Sequence, residues 1–179
     1  MTRAMAAERI GETTRAWILR AGADNGARSP GELEQSTIEL PPLSDGDVLV
    51  ETLYGSWEGN MTHAVQRDPV DICRRLRQEF IVLGNSGVVR VLAAGPDVRG
   101  LAPGSLCLFA PIGKEDPYGY AETVCAYDEP RTMGVLAERF YVKPRQLIPV
   151  PANATFSPAR WASFPVRYAT AWSNWPSLK

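Results

Sequence analysis

From Arg15 onward the chain consists of short apolar runs, each bounded by residues that favour turns. The 15 Gly and 15 Pro among its 179 residues supply many of these boundaries, because Pro fixes φ and Gly permits left-handed backbone. Many short strands joined by turns favour a barrel or sandwich over a doubly wound α/β fold. The sequence therefore predicts a mainly β fold with short helices. The predicted strands are residues 16–19, 36–40, 47–54, 81–83, 88–92, 106–109, 136–142 and 147–151.

Two segments have the pattern of helices. Ile72, Leu76 and Phe80 recur at four-residue spacing, which predicts a short amphipathic helix over residues 71–80. A second helical segment is predicted to begin at Ser157, because Ser followed by Pro is a favourable helix start. That segment carries five large aromatic residues, namely Trp161, Phe164, Tyr168, Trp172 and Trp175.

These patterns divide the chain into three parts. Residues 1–14 are polar and small and predict a flexible leader, residues 15–156 predict the β domain, and residues 157–179 predict an aromatic-rich helical segment. Within the β domain, residues 56–70 show no regular period and predict irregular structure. Residues 113–134 predict a long loop, and its tyrosines favour an ordered one.

Charge and composition exclude several classes of partner. The chain has 19 Lys and Arg against 20 Asp and Glu, with no basic run, so neither nucleic acid nor an anionic membrane fits as its main partner. No apolar stretch is long enough to span a membrane, and the N-terminus lacks the apolar core of a secretory signal, which predicts a cytoplasmic protein. Cys73, Cys107 and Cys125 are odd in number and widely spaced, which predicts reduced thiols.

The order of these segments resembles the N-terminal GroES-like domain of the medium-chain dehydrogenase/reductase superfamily. The resemblance runs from about residue 15 to residue 175. It implies a partly open β-barrel that forms the substrate side of a cleft, followed by a Rossmann domain that binds NADPH or NADH. The matching segments are residues 47–51, the Gly84 and Gly87 turn before residues 88–91, the turns at 95–98 and 101–105, residues 136–142, residues 147–151 and residues 169–172.

The resemblance also allows a zinc site to be tested residue by residue. Zinc-dependent members carry a cysteine at the position of Trp57, a histidine at that of Asn85 and a carboxylate at that of Ser86. Indole nitrogen carries a fixed proton and cannot bind Zn²⁺, and an amide is a poor substitute for imidazole. The four-cysteine lobe of the structural zinc is also missing. We therefore expect no metal, and a zinc-independent member.

Zinc-independent quinone and enoyl reductases have an Asn-aromatic pair at the same strand end, where this chain reads Ser-Trp-Glu-Gly-Asn over residues 56–60. Residues 71–80 and the tyrosine-rich loop around residue 120 are more similar to the enoyl-thioester reductase and crotonyl-CoA carboxylase/reductase branch than to alcohol dehydrogenases. The resemblance places Trp57 in the cleft as a platform for substrate, although a core tryptophan is the simpler alternative. Trp57 itself cannot act as a general acid.

Other polar residues near this strand end are candidates for the site. Glu58 and His63, the single histidine, are the acid or base candidates, against the simpler reading of a solvated carboxylate and a surface imidazole. Asn60 and Asn85 can donate to a substrate carbonyl, or belong to turns. Tyr120, with its neighbour Tyr118, can close over the cleft as a lid or pack the long loop on the barrel.

Cofactor and partner expectations follow from the resemblance. No G-x-G-x-x-G stands between a strand and a helix in the 179 residues, so we expect no cofactor to be bound by this chain alone, and NADPH only where a Rossmann domain is supplied. We expect a small molecule as substrate. The aromatic residues of segment 157–179 either cover the barrel, meet a second copy in a homodimer, or meet a Rossmann-bearing partner.

Two functions remain open from the sequence. In the first, the chain is the substrate-binding GroES-like half of a zinc-independent enoyl or quinone reductase, truncated or split from its NADPH-binding domain. In the second, it is a stand-alone protein without redox activity that uses the same cleft to bind or convert a biosynthetic intermediate.

Overall fold

The computed structural model describes residues 13–23 and 29–151, together with the backbone of residues 169–171. These residues form nine β-strands, two α-helices and one short 3-10 helix. The predicted mainly β fold is confirmed. No helix in this part of the chain is long and apolar enough to cross a membrane.

The smaller of two sheets has three antiparallel strands in the order β2, β1, β4. These are β1 Thr13–Arg20, β2 Leu33–Glu39 and β4 Phe80–Ile81. Strand β1 alternates exposed and buried residues as far as Ile18, so Ala16 and Ile18 enter the core, and Leu19 is buried as well. Strand β2 is an edge strand whose residues are mostly exposed or half-buried.

The larger sheet has six antiparallel strands, five of them in the order β7, β3, β5, β6, β8. Strand β9 pairs with β3 outside this order, next to its C-terminal half, whereas β7 pairs with its N-terminal half. The strands are β3 Val48–Ser56, β5 Gly87–Ala94, β6 Leu106–Phe109, β7 Arg139–Val142, β8 Leu147–Pro149 and β9 Ala169–Ala171.

The segment just before β7 joins the two sheets into a partly open barrel. Backbone hydrogen bonds connect Trp17 N to Leu136 O at 2.9 Å and Glu138 N to Arg15 O at 2.9 Å. The carbonyl oxygen of Glu138 in turn accepts a hydrogen bond from Thr52 N of β3 at 2.8 Å. Because one short segment bonds to β1 and to β3, it fixes the position of one sheet on the other.

The core lies between these sheets. Phe140, fully buried, meets Phe109 edge to face, with ring centroids 5.2 Å apart and planes at 81°. Val50 of β3 and Val89 of β5 are also fully buried. Burying a Val or Phe side chain contributes about 1.5–3 kcal/mol. The turn-separated apolar runs of the sequence therefore correspond to the strands that bury these side chains.

The helices differ from the prediction. Residues 56–70, predicted irregular, contain α1, Gly59–Gln66, whose N-cap Glu58 makes no side-chain capping bond and whose first turn has no acidic residue. The predicted helix 71–80 was too long: α2 covers Ile72–Arg75, and Arg77 with φ 56° ends the helical path. Left-handed backbone cannot continue a right-handed helix.

The two chain ends are only partly described. The boundary at residue 15 was late, because β1 already begins at Thr13. The predicted helical segment 157–179 lies outside the described residues except for Ala169–Ala171, and for those three the prediction was wrong because they form β9. They pair with residues 54–56 of β3, beyond the part of β3 that β7 covers, and this pairing satisfies their backbone groups in the sheet.

Gly134 lies where two backbone segments come unusually close. Its amide donates to Val82 O at 3.0 Å, and the amide of Val135 donates to Gly84 O at 2.9 Å. A Cβ atom added to Gly134 would lie 2.0 Å from the Gly84 carbonyl oxygen, which is far too close for a real contact. Gly84 itself has φ of +101°. Glycine at residue 134 thus allows segment 134–136 to hold the turn that follows β4.

We expect Gly134→Ala to lower the free energy of unfolding by about 3 kcal/mol, because the methyl group forces two backbones apart. Gly46→Ala is the matched control, since a Cβ there meets nothing within 4 Å. Urea denaturation of both variants measures the difference. Equal and small effects would contradict the close approach.

Candidate functional site

The end of β3 lies against the turn that precedes β5. Ser56 N donates to Ser86 O at 3.0 Å. The Ser56 hydroxyl lies 3.1 Å from the same carbonyl oxygen and 3.1 Å from Glu58 Oε1, and its single proton serves one of them at a time. These bonds bring two predicted site residues to one end of the barrel. Trp57 directly follows Ser56, and Asn85 directly precedes Ser86.

Trp57 and Asn85 do not fit a zinc ion. The Trp57 indole N–H donates to Thr62 Oγ1 at 3.0 Å, and this nitrogen has no lone pair for a metal. Asn85 offers an amide where zinc proteins use imidazole or thiolate. Among the residues that the structure describes, no group of three His, Cys, Asp or Glu side chains has a geometry that could hold a metal ion.

A cavity of about 270 Å³ lies beside this strand end, near the lower limit for small-molecule sites. Helix α1, the segment 68–70, helix α2 and the long loop 113–134 form its walls. Ala64, Ile72 and Val124 supply apolar surface. The polar lining residues are Asn60, His63, Asp68, Arg75, Tyr127 and Asp128.

Arg75 fastens the long loop to α2. Its guanidinium donates to the carbonyl oxygen of Tyr127 and, at 2.8 Å, to Asp128 Oδ1. The other carboxylate oxygen of Asp128 accepts from Val124 N at 2.9 Å. One arginine thus holds both the backbone and the side chain of the loop wall, and its donors on that side are already engaged.

A second set of contacts, around Cys125, attaches the long loop to the barrel. The Gln146 amide donates to the Cys125 sulfur at 2.7 Å, and Glu129 Oε2 lies 3.5 Å from the same atom. Burial, together with the charge of Glu129, raises the pKa of the Cys125 thiol to about 11. The thiol therefore stays protonated at neutral pH and acts as a packing group.

Tyr127 is the functional candidate that the sequence analysis missed. It is 7% exposed, and no described residue forms a hydrogen bond with its buried hydroxyl. Burial raises the pKa of this phenol above its usual range, and the carboxylate of Glu58 adds to the shift while the backbone of Gly84 opposes it. Leaving such a group unpaired costs about 1–3 kcal/mol. The flanking Cys125 and Ala126, both apolar, are the sequence signal for its burial.

The structure brings some of the predicted site residues together. Asn60 and His63 are exposed on α1 and line the cavity. Trp57 and Glu58 are half-buried at the end of β3. Asn85 is half-buried as well, and no described residue bonds to its buried Oδ1.

Tyr120 is not part of this group. It is 74% exposed at the tip of the long loop, where Tyr118 is 86% exposed, and neither lines the cavity. Asp116 shapes the tip, because its Oδ1 accepts from the amides of Tyr118 at 2.9 Å and Tyr120 at 2.8 Å. The proposed lid role of Tyr120 stays a prediction.

Comparison with solved structures finds the same arrangement of strands in several reductases. The ligand-free 2-octenoyl-CoA carboxylase reductase CinF from a Streptomyces species is 24% identical, with a TM-score of 0.64 over 83% of this chain and 41% of that one. Crotonyl-CoA carboxylase/reductase AntE in complex with NADP is 21% identical, with a TM-score of 0.65 over 85% and 41%. An NAD-dependent alcohol dehydrogenase is 22% identical, with a TM-score of 0.61 over 79% and 41%.

The fold is therefore that of the GroES-like domain of medium-chain dehydrogenases/reductases, as predicted. The chain spans about two fifths of the length of these three proteins. No family model matches the sequence, and no curated protein matches it in sequence.

We expect Arg75→Met to loosen the loop wall of the cavity, because it removes the bonds to Tyr127 O and Asp128 while keeping the apolar stem. Hydrogen exchange of the amides in residues 124–128 should accelerate about fivefold to tenfold, which corresponds to about 1 kcal/mol for a partly exposed pair. Arg77→Met is the matched control, since the Arg77 side chain forms no ion pair with a described residue. Unchanged exchange in Arg75→Met would show that the loop is held by other contacts.

Proposed function

We propose that this chain is the substrate-binding part of a zinc-independent, NADPH-dependent reductase-type protein acting on an enoyl or quinone-like carbonyl compound. The observation that carries the proposal is the cavity between α1, α2 and the long loop, next to the end of β3, in a fold shared with enoyl-CoA carboxylase/reductases. In such a protein NADPH, held by a Rossmann domain, supplies the hydride. The residues of this chain bind and orient the compound that receives it.

The cavity lining suits a ligand with one polar end and an apolar chain. Asn60 and His63 are exposed on α1, so they offer N–H groups at the solvent side of the cavity. Ile72 and Val124 provide apolar surface for a short carbon chain. A volume of about 270 Å³ accommodates the acyl part of a thioester and leaves a bulky carrier outside.

Zinc independence rests on the chemistry of two positions. The Trp57 indole N–H is already bonded to Thr62, and Asn85 carries a neutral amide. Polarisation of a bound carbonyl therefore depends on neutral hydrogen-bond donors. Glu58, half-buried beside the Ser56 hydroxyl at 3.1 Å, is the candidate carboxylate for a proton-transfer role at this strand end.

Location and partners extend the same proposal. We propose a cytoplasmic protein whose aromatic residues in segment 157–179 contact a Rossmann-bearing domain or a second copy of the chain. These aromatic residues lie outside the described part of the structure, which includes only the strand β9 from this segment.

The proposal predicts that the chain binds crotonyl-CoA without NADPH. Isothermal titration should show saturable binding that a chelator leaves unchanged, because no metal takes part. Asn60→Ala should weaken binding about tenfold, or about 1.4 kcal/mol, through loss of one donor to the ligand. Gln35→Ala on the exposed edge strand β2 is the control and should leave the affinity unchanged.

A titration with NADPH completes this test. We expect affinity weaker than micromolar for the chain alone, so submicromolar NADPH binding would contradict the placement of the nucleotide on another domain. Absence of crotonyl-CoA binding, with a folded protein, would favour the alternative of a stand-alone protein that binds a different intermediate.

A further inference from the structure

Arg75 lines the cavity and has hydrogen-bond donors that no described residue uses. Its bonds to the Tyr127 carbonyl oxygen and to Asp128 Oδ1 both come from Nη2, so they occupy the two N–H groups of that nitrogen. A guanidinium has five N–H groups. The three on Nε and Nη1 therefore have no partner in the described part of the chain. The side chain is 43% exposed, so solvent and small molecules have access to it.

The carboxylates of the cavity lining, in contrast, are already engaged. Asp128 accepts from Arg75 at Oδ1, at 2.8 Å, and from Val124 N at Oδ2, at 2.9 Å. Asp68, on the exposed segment 68–70, is not free either. The polar groups that remain for a ligand are therefore mainly donors, which match acceptor oxygens.

Helix α1 adds two such donors from another wall of the cavity. Asn60 and His63 both line the cavity, and their side chains form no hydrogen bond with a described residue. Residues three apart on a helix are neighbours on its surface, so these two side chains are adjacent. An imidazole donates at least one N–H in either protonation state. Unused donors thus come from both α1 and α2.

The charges of the lining favour a group with a single negative charge. Asp128 already shares the charge of Arg75, and Asp68 adds a second carboxylate. Both would repel a dianion such as phosphate. Hydrogen bonds from a guanidinium to a carboxylate are about twice as strong as those between neutral groups. A carboxylate therefore uses the free donors of Arg75 better than a neutral oxygen or a dianion does.

We propose that Arg75, together with Asn60 and His63, binds a carboxylate of the substrate, so that the substrate is a carbonyl compound with a separate carboxylate group. This inference rests on the proposed function, which supplies the carbonyl part of the ligand. Arg75 then has two tasks. Its Nη2 holds the loop wall through Tyr127 and Asp128, whereas Nε and Nη1 contact the ligand.

The test compares two small ligands, monomethyl succinate and its neutral amide, methyl succinamate. They share the carbon chain and the ester carbonyl, so the ratio of their dissociation constants reports on the carboxylate alone. Their saturated chains do not alkylate cysteine. Titration followed by NMR should show about tenfold tighter binding of the acid to the wild type. We expect Arg75→Met to bring the ratio close to one. Loosening of the loop wall in this variant weakens both ligands alike and cancels in the ratio.

Asp128→Asn is the matched control. It removes the ion pair that holds the loop wall but leaves the guanidinium in place. We expect weaker binding of both ligands and a preference for the acid that is kept or increased, because the charge of Arg75 is no longer shared. Arg75→Lys keeps the charge with fewer donors and should retain part of the preference. A merely structural Arg75 predicts the same ratio in all four proteins.

The outcomes separate this inference from the function on which it rests. Equal binding of acid and amide to the wild type would overturn the carboxylate site, and so would a preference that persists in Arg75→Met. If the wild type nevertheless binds crotonyl-CoA, the proposed function survives without this site. If the folded wild type prefers the acid about tenfold but does not bind crotonyl-CoA, the carboxylate contact stands and the proposed function fails.

Discussion

One short backbone segment, residues 134–138, connects the two sheets and the turn that follows β4 through backbone hydrogen bonds. It bonds to the chain after β4 through Gly134 and Val135, to β1 through the Leu136 carbonyl and Glu138 amide, and to β3 through the Glu138 carbonyl. Since each of these groups is buried or half-buried, every one needs a partner, and pairing them forces the two sheets together. The closing of the barrel and the position of the turn before β5 therefore have a common cause.

The candidate site depends on that closure without lying inside the barrel. Strand β3 ends at Ser56, whose amide and hydroxyl both lie against the carbonyl oxygen of Ser86. Ser86 belongs to the turn that segment 134–138 holds in place. Helix α1 starts directly beyond, and the long loop returns over it, fastened by Arg75. The rigid strands thus position a cavity whose walls are helices and a loop, an arrangement that lets the lining vary while the barrel is preserved.

The strands were predictable from sequence, whereas the cavity wall was largely not. Strands such as β6, Leu106–Phe109, are apolar runs between turn residues, so a local sequence pattern is enough to predict them. Helix α1 has a weak sequence signal, because Gly59 and Asn60 begin it without a capping side chain, and tertiary packing of Met61 and Ala64 stabilises it.

The same limit applies to the tyrosines of the long loop. The sequence analysis made Tyr120 a candidate for a lid or for packing of the long loop, yet Tyr120 is exposed and Tyr127 is buried. Which loop residue faces the core depends on contacts far apart in sequence, such as the bond from Arg75 to the Tyr127 carbonyl. These contacts leave no periodic pattern in the sequence.

Apart from the carboxylate of Glu58, the side chains discussed at the end of β3 are uncharged, which under the proposed function limits how a ligand is recognised there. Trp57 and Asn85 carry no charge, and burial raises the pKa of the Tyr127 phenol on the long loop above its usual range. A neutral donor in a water-poor setting forms a directional bond, whereas a cation attracts any nearby anion. Under the proposed function, discrimination depends on where an acceptor oxygen lies relative to such neutral donors, and on the loop wall that Arg75 holds in place.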